Sequence, residues 1–570
     1  EYYLRTLYSE FSDEEERQAL ATEFDQPQLA GALGEAEIIR SLKQRKETQT
    51  ISALVLGTRQ VVGHFEWVLE GGASKADEDT PFNIAGADFE QGLDDGVGFD
   101  NSHIPVLLAP NSAFDAAEYE IKEVEMGDTY TKENEHNVKF DVSREYILSQ
   151  GSLQLKAGVK LSERNKSAEE SVWIFEDFED NGVQQLTLDK YSNSTVNSNL
   201  SKFGAAIDSG SIYSLINTLD PNDFVDDVES AINDYQVDEK INAGYFMAHF
   251  EHDNWQLISG LRYEHDQRDA TGTRYDAVTD EFSLNRQSYD KGYLLPALIS
   301  RYNLSEQSII RASYSTGLVR PTFEQLAPAY LLEEDDGEFE ASFGNPELKA
   351  LTSQNFDLGF EHYADDLGVL SAMVFYKQID NFIYQADLAG RGEYTDFKTA
   401  ETYVNGGAAN LYGLEVNAIH KLSGYGNWID NLLVSANLTL TDSTADIEWF
   451  EDGELLSREI ALPSQSDKTA NLSFGYESAT VSVRFAANFK SDYLAEVGDI
   501  TDKADDVHSD NHLQFDLTSK YQIAKGMQLY FNAINLNDEP YYAYTGTKPY
   551  NFQYEQYGRT FVFGMQITNW

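Results

Sequence analysis

The sequence predicts an all-β protein, a large antiparallel transmembrane β-barrel with long extracellular loops and short periplasmic turns. Three observations predict this fold. Apolar and polar residues alternate with a period of two in many segments. Short and long connections alternate along the second half of the chain. No apolar run approaches the ~20 residues that a membrane helix needs, so a chain that crosses a membrane here has to cross it in strands.

The alternation is clearest in the segments 153–161 and 432–441 and in a hairpin at 470–489. The hairpin turns at 477–480 and keeps the apolar residues of both arms on one face. In a soluble sandwich this face would pack on a second sheet. In a membrane barrel it meets lipid, and the polar face lines a wet lumen.

Connection lengths favour the barrel. Short turns are predicted near 58–60, 148–150, 253–254, 304–307, 364–367, 477–480 and 523–526. Long polar loops are predicted at 75–95, 166–238, 270–286, 319–349, 385–406, 446–464, 496–510 and 537–557. Short turns at one end and long loops at the other are typical of outer-membrane barrels, and a sandwich has no reason to place its long loops at every second connection.

About twenty strands follow from this division, near 2–11, 37–57, 61–74, 96–107, 115–128, 134–147, 150–165, 239–252, 255–268, 287–303, 307–318, 350–363, 367–384, 407–421, 430–445, 466–477, 479–495, 511–523, 526–536 and 558–569. The plugged class of transporter has 22 strands, so a missing pair is expected before Glu1. One loop, 220–235, carries the apolar stripe and the early acidic residues of a short helix.

Composition excludes several functions. The 570 residues include 97 acidic and 41 basic side chains, for a net charge of -56, which argues against binding nucleic acid. The chain has no cysteine, which excludes disulfides, thiolate metal sites and cysteine nucleophiles. Aromatic residues make up 13%, as the interfacial girdles of a barrel require.

Six motifs in the second half carry a family resemblance. They are Arg320–Leu326 (RPTFEQL), Gly344–Lys349 (GNPELK), Phe375–Ile383 (FYKQIDNFI), Tyr412–Glu415 (YGLE), Asn535–Pro540 (NLNDEP) and Gly558–Arg559. Together they resemble the TonB-dependent outer-membrane receptors, although Ala350 stands where that family usually has proline. The segment 8–17 is similar to the branch often linked to carbohydrate uptake.

The resemblance implies an active transporter of the cell outer membrane rather than an enzyme. A plug domain would contact the TonB–ExbB–ExbD complex, and outer-membrane lipid and lipopolysaccharide would surround the barrel. The plug is absent from this sequence, so residues 1–570 are expected to be a barrel that lacks its plug and first strands. No cofactor is expected.

Candidate site residues come from the loops and from the lumen face. The predicted outer loops carry the candidate ligand contacts, namely Trp173, Phe175, Tyr330, Arg391, Tyr394, Trp449, Phe450, Tyr541, Tyr542 and Tyr544. Aromatic faces beside carboxylates are a common way to hold a sugar, and the alternative is that these rings only pack the loops together. Strand phase predicts that the lumen-facing charges include Glu361, Glu415, Arg484 and Lys490.

No metal site is predicted. A full strand separates His252 from His265, so the two histidines lie about 40 Å apart. Acidic runs at 332–340 and 499–506 leave open whether loops bind calcium, since neither has EF-hand spacing.

The predicted function is capture and TonB-dependent import of a scarce solute. The first candidate is an oligosaccharide and the second an iron–siderophore complex. The alternatives are a passive large porin and a soluble, acidic, β-rich enzyme that acts on polysaccharide.

Overall fold

One dominant antiparallel sheet organises the chain. The computed structural model describes residues 1–570 except 101–105, 197–201, 336–337, 365–367, 423, 452–453, 499 and 569–570. The wall of the sheet is built from eighteen strands: β1 Tyr2–Phe24, β2 Gly34–Val62, β3 Phe65–Phe99, β4 Glu120–Leu148, β5 Gly151–Phe175, β6 Tyr235–His252, β7 Trp255–Asp276, β8 Glu281–Asn303, β9 Ser308–Val319, β10 Leu351–Ala364, β11 Gly368–Asp380, β12 Ala408–Lys421, β13 Leu432–Glu451, β14 Lys468–Glu477, β15 Val481–Lys490, β16 His512–Ala524, β17 Met527–Ile534 and β18 Thr560–Ile567.

Every wall strand pairs antiparallel with the next, so the ladder runs from β1 to β18 in chain order. Short turns such as 253–254 and 478–480 lie at one end, and the long connections lie at the other, which we call the outer end. The predicted fold class and its alternation of short turns and long loops are therefore confirmed. Outer residues from distant parts of the chain also meet, since the rings of Phe99 and Tyr550 lie 6.1 Å apart.

The two faces of the wall differ as the period-two pattern predicts. On the apolar face, large side chains such as Leu358, Phe474 and Phe563 are exposed, the last of them by 73%. The opposite face carries polar contacts between neighbouring strands, for example from the hydroxyl of Ser313 to the carboxylate of Asp357 at 2.7 Å. An apolar face exposed along a single continuous sheet fits contact with lipid.

The wall is much taller on one side than on the other. Strands β1–β8 have 18–35 residues, whereas β9–β18 have 8–20. Strand β3 alone has 35 residues, far more than the 9–11 that cross a membrane. The outer parts of β1–β5 therefore form an extension that rises well beyond the membrane.

Shorter strands fill the outer loops. In the loops after β9, β11 and β13, the strands are Tyr330–Asp335, Glu338–Phe343, Ile383–Asp387, Phe397–Asn405 and Glu454–Ile460. A separate four-stranded sheet joins the last two outer loops through Tyr493–Glu496, Val507–Ser509, Tyr541–Thr545 and Asn551–Glu555. The remaining pieces are Leu107–Leu108, Ser194–Thr195, Ala205–Ala206 and Val225–Asp226.

Within the described ranges, three short helices lie in the loops: α1 Ser209–Ile216, α2 Asp227–Ile232 and α3 Phe323–Leu326. Helix α2 lies inside the predicted helical segment 220–235, and a 3₁₀ turn at Pro221–Asp223 precedes it. No helix among the described residues is long and apolar enough to span a membrane.

The outer extension has a core of its own. Residues Val124 and Met126 are fully buried there, although they share a face of β4 with the exposed Val138 and Phe140. The connection between β5 and β6, with helix α1, covers this face. Arg40 of β2 holds this connection against the wall, because its guanidinium donates to the carbonyls of Phe203 and Ala205.

Several predicted boundaries are wrong, and most of them fall in this extension. The predicted loop 75–95 is part of β3, which continues through the first residues of the predicted strand 96–107 and ends at Phe99. The predicted strands 115–128 and 134–147 form one strand, β4, and the predicted loop 270–286 is mostly strand. The pairing of β3 is irregular near 80–83 and 84–86. Each extra residue moves the side chains that follow it to the opposite face of the sheet, so the simple period-two pattern is broken there. Among the described residues, eighteen strands therefore form the wall, close to the predicted twenty, and shorter strands of the outer loops join the same sheet.

The closing strand β18 presents one apolar face. Phe561, Phe563, Met565 and Ile567 all lie exposed on the apolar face of β18. Trp570, whose phase differs from theirs, lies outside the described residues.

Candidate ligand path through the outer loops and the inner wall

The polar face of β4–β8 carries a dense set of charges. Nearer the short-turn end of this face, the buried Asp141 accepts a hydrogen bond of 2.7 Å from the hydroxyl of Tyr245. The same carboxylate lies 3.1 Å from Lys139 Nζ and 3.6 Å from Lys156 Nζ. A carboxylate with three partners is well stabilised on a sheet face, and it would be costly on the side that faces lipid.

A larger network lies nearer the outer end. Arg320, which directly follows β9, donates to the carboxylates of Glu264 at 2.6 Å and Asp266 at 3.2 Å. Its Nε also lies 3.7 Å from Glu239 Oε1. Glu239 receives a further hydrogen bond of 2.8 Å from Arg164. Buried carboxylates of this kind are stable only when cations compensate them.

Aromatic rings enclose the network. The guanidinium of Arg164 lies 4.4 Å from the ring centre of Phe323, and that of Arg268 lies 4.0 Å from the ring centre of Tyr289. The hydroxyls of Tyr289 and Tyr293 lie 2.8 Å apart. In the sequence, Arg320 stands out only as part of a motif, and no local pattern connects it with carboxylates more than fifty residues earlier. Strand phase was the usable signal, since Glu239, Glu264, Asp266 and Arg268 all occupy inner-phase positions of β6 and β7.

The four predicted lumen-facing charges lie on the polar face of their strands. Glu361 pairs with Arg311 at 2.6 Å. Glu415 lies opposite Thr439 on the next strand, and Arg484 lies opposite Thr518. Lys490 Nζ lies 4.4 Å from the ring centre of Tyr493. Their role as contacts for a plug stays a prediction.

The predicted loop residues fall into four groups. Trp173 and Phe175 belong to the core of the extension, and Phe175 has no exposed surface. Tyr330 and Tyr394 lie in a cluster between the loops after β9 and β11, and Arg391 precedes the 3₁₀ turn Gly392–Tyr394. Tyr541, Tyr542 and Tyr544 lie in the four-stranded outer sheet. Trp449 and Phe450 lie near the outer end of strand β13, and the side chain of Phe450 is outside the described part of the chain.

Two of these groups are tightly packed. Tyr330 stacks on Phe343 at 5.3 Å, and Phe343 stacks on Tyr394 at 5.2 Å. Burial, reinforced by the nearby Tyr330 and Glu393, raises the pKa of Tyr394. In the outer sheet, Tyr544 stacks on His508 at 5.4 Å. These rings hold the loops together, and their role as ligand contacts stays a prediction.

Trp449 is placed differently. It is only half-buried, and its odd number puts it on the inner-phase face of β13 together with Asn437, Thr439 and Ser443. Ala445 and Ile447, which precede it on that face, are buried in a core shared with Phe382 and Leu494. A partly exposed indole therefore lies at the outer end of the inner face.

The inner-phase face of the extension is strongly acidic. Burial first, and neighbouring carboxylates second, raise the pKa of Glu90, Glu123 and Glu125. Burial and then neighbouring carboxylates also raise the pKa of Glu229 on helix α2. Burial likewise raises the pKa of Glu170. Among the described residues, no group of three or more histidine, aspartate or glutamate side chains is arranged to hold a metal ion.

This acidic face predicts a pH dependence. A glutamate whose folded pKa lies above its ordinary 4.5 binds more protons in the folded state, so it favours folding at low pH and loses that contribution as the pH rises through the raised pKa. The segment 120–126 should therefore exchange its amide hydrogens more slowly at pH 5 than at pH 7.5, after correction for intrinsic rates. Segment 481–490, which has no carboxyl side chain, is the control, and an equal change in both segments would contradict the prediction.

A family model described as "TonB dependent receptor-like, beta-barrel" matches residues 67–536. The chain belongs to the TonB-dependent receptor family. Its membership places it in the outer membrane as a transporter and receptor rather than an enzyme, so the alternative of a soluble polysaccharide-acting enzyme is wrong. No curated protein matches the sequence.

Solved structures of TonB-dependent receptors share the fold of this chain. The ferric-catecholate import receptor Fiu from E. coli K12 is 11% identical, with a TM-score of 0.53, over 98% of this chain and 81% of that one. The siderophore receptor PiuA from Acinetobacter baumannii is 13% identical, with a TM-score of 0.52, over 99% and 79%. The pyoverdine receptor FpvA from Pseudomonas aeruginosa PAO1 is 11% identical, with a TM-score of 0.52, over 100% and 78%. At these identities the likeness concerns the fold alone.

Proposed function

We propose that this TonB-dependent receptor captures an uncharged or cationic solute at its outer loops and imports it through the barrel with energy from the TonB–ExbB–ExbD complex. An oligosaccharide is the first candidate. A plug domain that contacts TonB, and lipopolysaccharide around the wall, remain part of the proposal.

The chemistry of the mouth supports this solute class. The acidic inner face of the extension borders the mouth, and the chain as a whole carries a net charge of -56. Such a field repels polyanions and leaves neutral or cationic solutes unhindered. The half-buried Trp449 on the inner face is the observation on which the proposal depends most, because an indole face offers apolar area to the flat face of a sugar ring.

An iron–siderophore complex is the second candidate. It is named because PiuA is a siderophore receptor and Fiu a ferric-catecholate import receptor, and this chain shares their fold. The acidic mouth restricts this candidate to siderophore complexes that are neutral or cationic.

Growth and binding experiments separate the two candidates. Cells that lack the receptor should lose growth on a neutral oligosaccharide mixture as sole carbon source and keep growth on a ferric siderophore as sole iron source. The opposite pattern would select the siderophore. Unchanged growth on both, or uptake that persists without TonB as in a passive porin, would reject the proposal.

Replacing Trp449 with alanine tests the binding surface. The Trp449→Ala variant should bind the imported solute about tenfold more weakly, which corresponds to ~1.4 kcal/mol. The measurement is a titration of the detergent-extracted receptor. Trp428→Ala is the matched control, because Trp428 is also exposed but lies in the short-turn end of the barrel. Equal affinity of the two variants would remove Trp449 from the site.

A further inference from the structure

The loop between β9 and β10 is fastened to the inner wall at both of its ends. At its start, Arg320 reaches carboxylates on β6 and β7. At its end, the carbonyl of Leu348 accepts from Arg268 at 3.4 Å, and the amide of Ala350 donates to the hydroxyl of Tyr293 at 3.3 Å. Both ends of the loop therefore contact the same part of the inner wall, on β6–β8.

Three carboxylates of the wall share the cation that the loop supplies, and each also pairs with one wall-strand arginine: Glu239 with Arg164, Glu264 with Arg262 and Asp266 with Arg268. The side chain of Asp266 is fully buried, that of Glu239 is 2% exposed, and that of Glu264 is 11% exposed. Three carboxylates this close repel each other unless cations lie between them. Arg320 is the one cation within 4 Å of all three among the described ion pairs, and it comes from the loop rather than from a wall strand.

The middle of the loop leaves the wall and forms an outer hairpin. Residues 330–332 pair in parallel with 274–276 at the outer end of β7. The other arm, 339–343, pairs with the strand Phe397–Asn405 of the next outer loop. The hairpin thus connects β7 with the next outer loop. Within this contact, Tyr330 and Phe343 of the hairpin stack in series with Tyr394 of that loop.

We propose that Arg320 is a positioning residue that holds the 320–350 loop against the inner wall and thereby fixes the outer hairpin at the mouth of the barrel. Its partners are buried and come from two strands, so the contact defines one position of the loop rather than a range of positions. Only the consequence for solute capture rests on the proposed function.

Protease protection of the hairpin tests the anchor. Outer-membrane vesicles that carry the receptor are treated with a glutamate-specific protease, for which Glu333 and Glu334 are exposed sites within paired strands. The Arg320→Gln variant should be cut at these sites at least tenfold faster than the wild type. Cleavage at the wild-type rate in a folded variant would overturn the proposal.

The matched control is Arg311→Gln. Arg311 lies on β9, nine residues before Arg320 along the chain, and it also pairs with a carboxylate, Glu361, at 2.6 Å. It does not contact the loop through any described ion pair, so its loss should leave hairpin cleavage unchanged. Equally fast cleavage in both variants would show a general loosening of the wall and would also overturn the proposal.

A milder variant covers the case in which Arg320→Gln fails to assemble. Glu264→Gln removes one of the three carboxylate partners, and heat-modified gel mobility reports whether the barrel has folded. The folded Glu264→Gln protein should show intermediate cleavage, and a wild-type rate would count against the anchor. A freed hairpin in a receptor that captures neither solute class would support the anchor and reject the proposed function.

Discussion

Replacing Leu472 with arginine should destabilise the membrane-inserted barrel by about 2–4 kcal/mol, the cost of a cation on the lipid face near the bilayer midplane. Leu472 lies in the middle of β14, and 42% of its surface is exposed on the apolar face. The measurement is urea-dependent folding into lipid vesicles, followed by heat-modified gel mobility.

The neighbouring residue provides the control. Ser473 lies on the opposite face, between Ser435 and Ala486 on the adjacent strands, where an arginine side chain can reach water. The Ser473→Arg variant should fold within about 1 kcal/mol of the wild type. If both arginine variants lose the same stability, the assignment of the two faces is wrong.

Loss of Arg458 should produce the second large effect, in the outer loops rather than in the membrane. Arg458 forms two hydrogen bonds of 2.7 Å with Asp506, and its Nε donates to the carbonyl of Ile500 at 2.8 Å. The pair is well shielded, with side-chain exposures of 16% and 8%. Breaking a shielded pair typically costs about 3–5 kcal/mol, because the remaining charge is left buried.

The expected result of Arg458→Met is a local loss of amide hydrogen-exchange protection in 454–460 and 507–509, while β14 and β15 remain protected. Lys398→Met is the control. Lys398 pairs with Glu340 at 2.6 Å but is 52% exposed, and exposed pairs contribute under about 1 kcal/mol. Comparable losses in the two variants would contradict a specific role for the shielded pair.

The side of the barrel built from β9–β18 was predictable because its strands consist of little more than the membrane crossing. The hairpin of β14 and β15 keeps an uninterrupted alternation, and both its turn and its faces are as predicted. The extension was not predictable in the same way. Its ladder irregularities shift the phase, and the acidic, glycine-rich segment 85–98 resembles a loop in composition although it is strand.

The contacts that hold the loops in place were also not predictable from the sequence. Phe175 was expected at a ligand but is buried, because a strand that continues above the membrane can carry a second apolar core on its outward face. The Arg320 network joins a loop to strands more than fifty residues earlier. No local spacing pattern reports a contact of that kind, whereas strand phase and register do.

The unequal height of the wall also decides which part of the protein large particles meet first. A bacteriophage or an antibody that approaches the cell surface reaches the tops of β1–β5 and their covering helix before it reaches the short strands opposite. Immune selection and phage resistance should therefore concentrate sequence change in 80–125 and 176–234, and they should spare the recessed side where Trp449 lies.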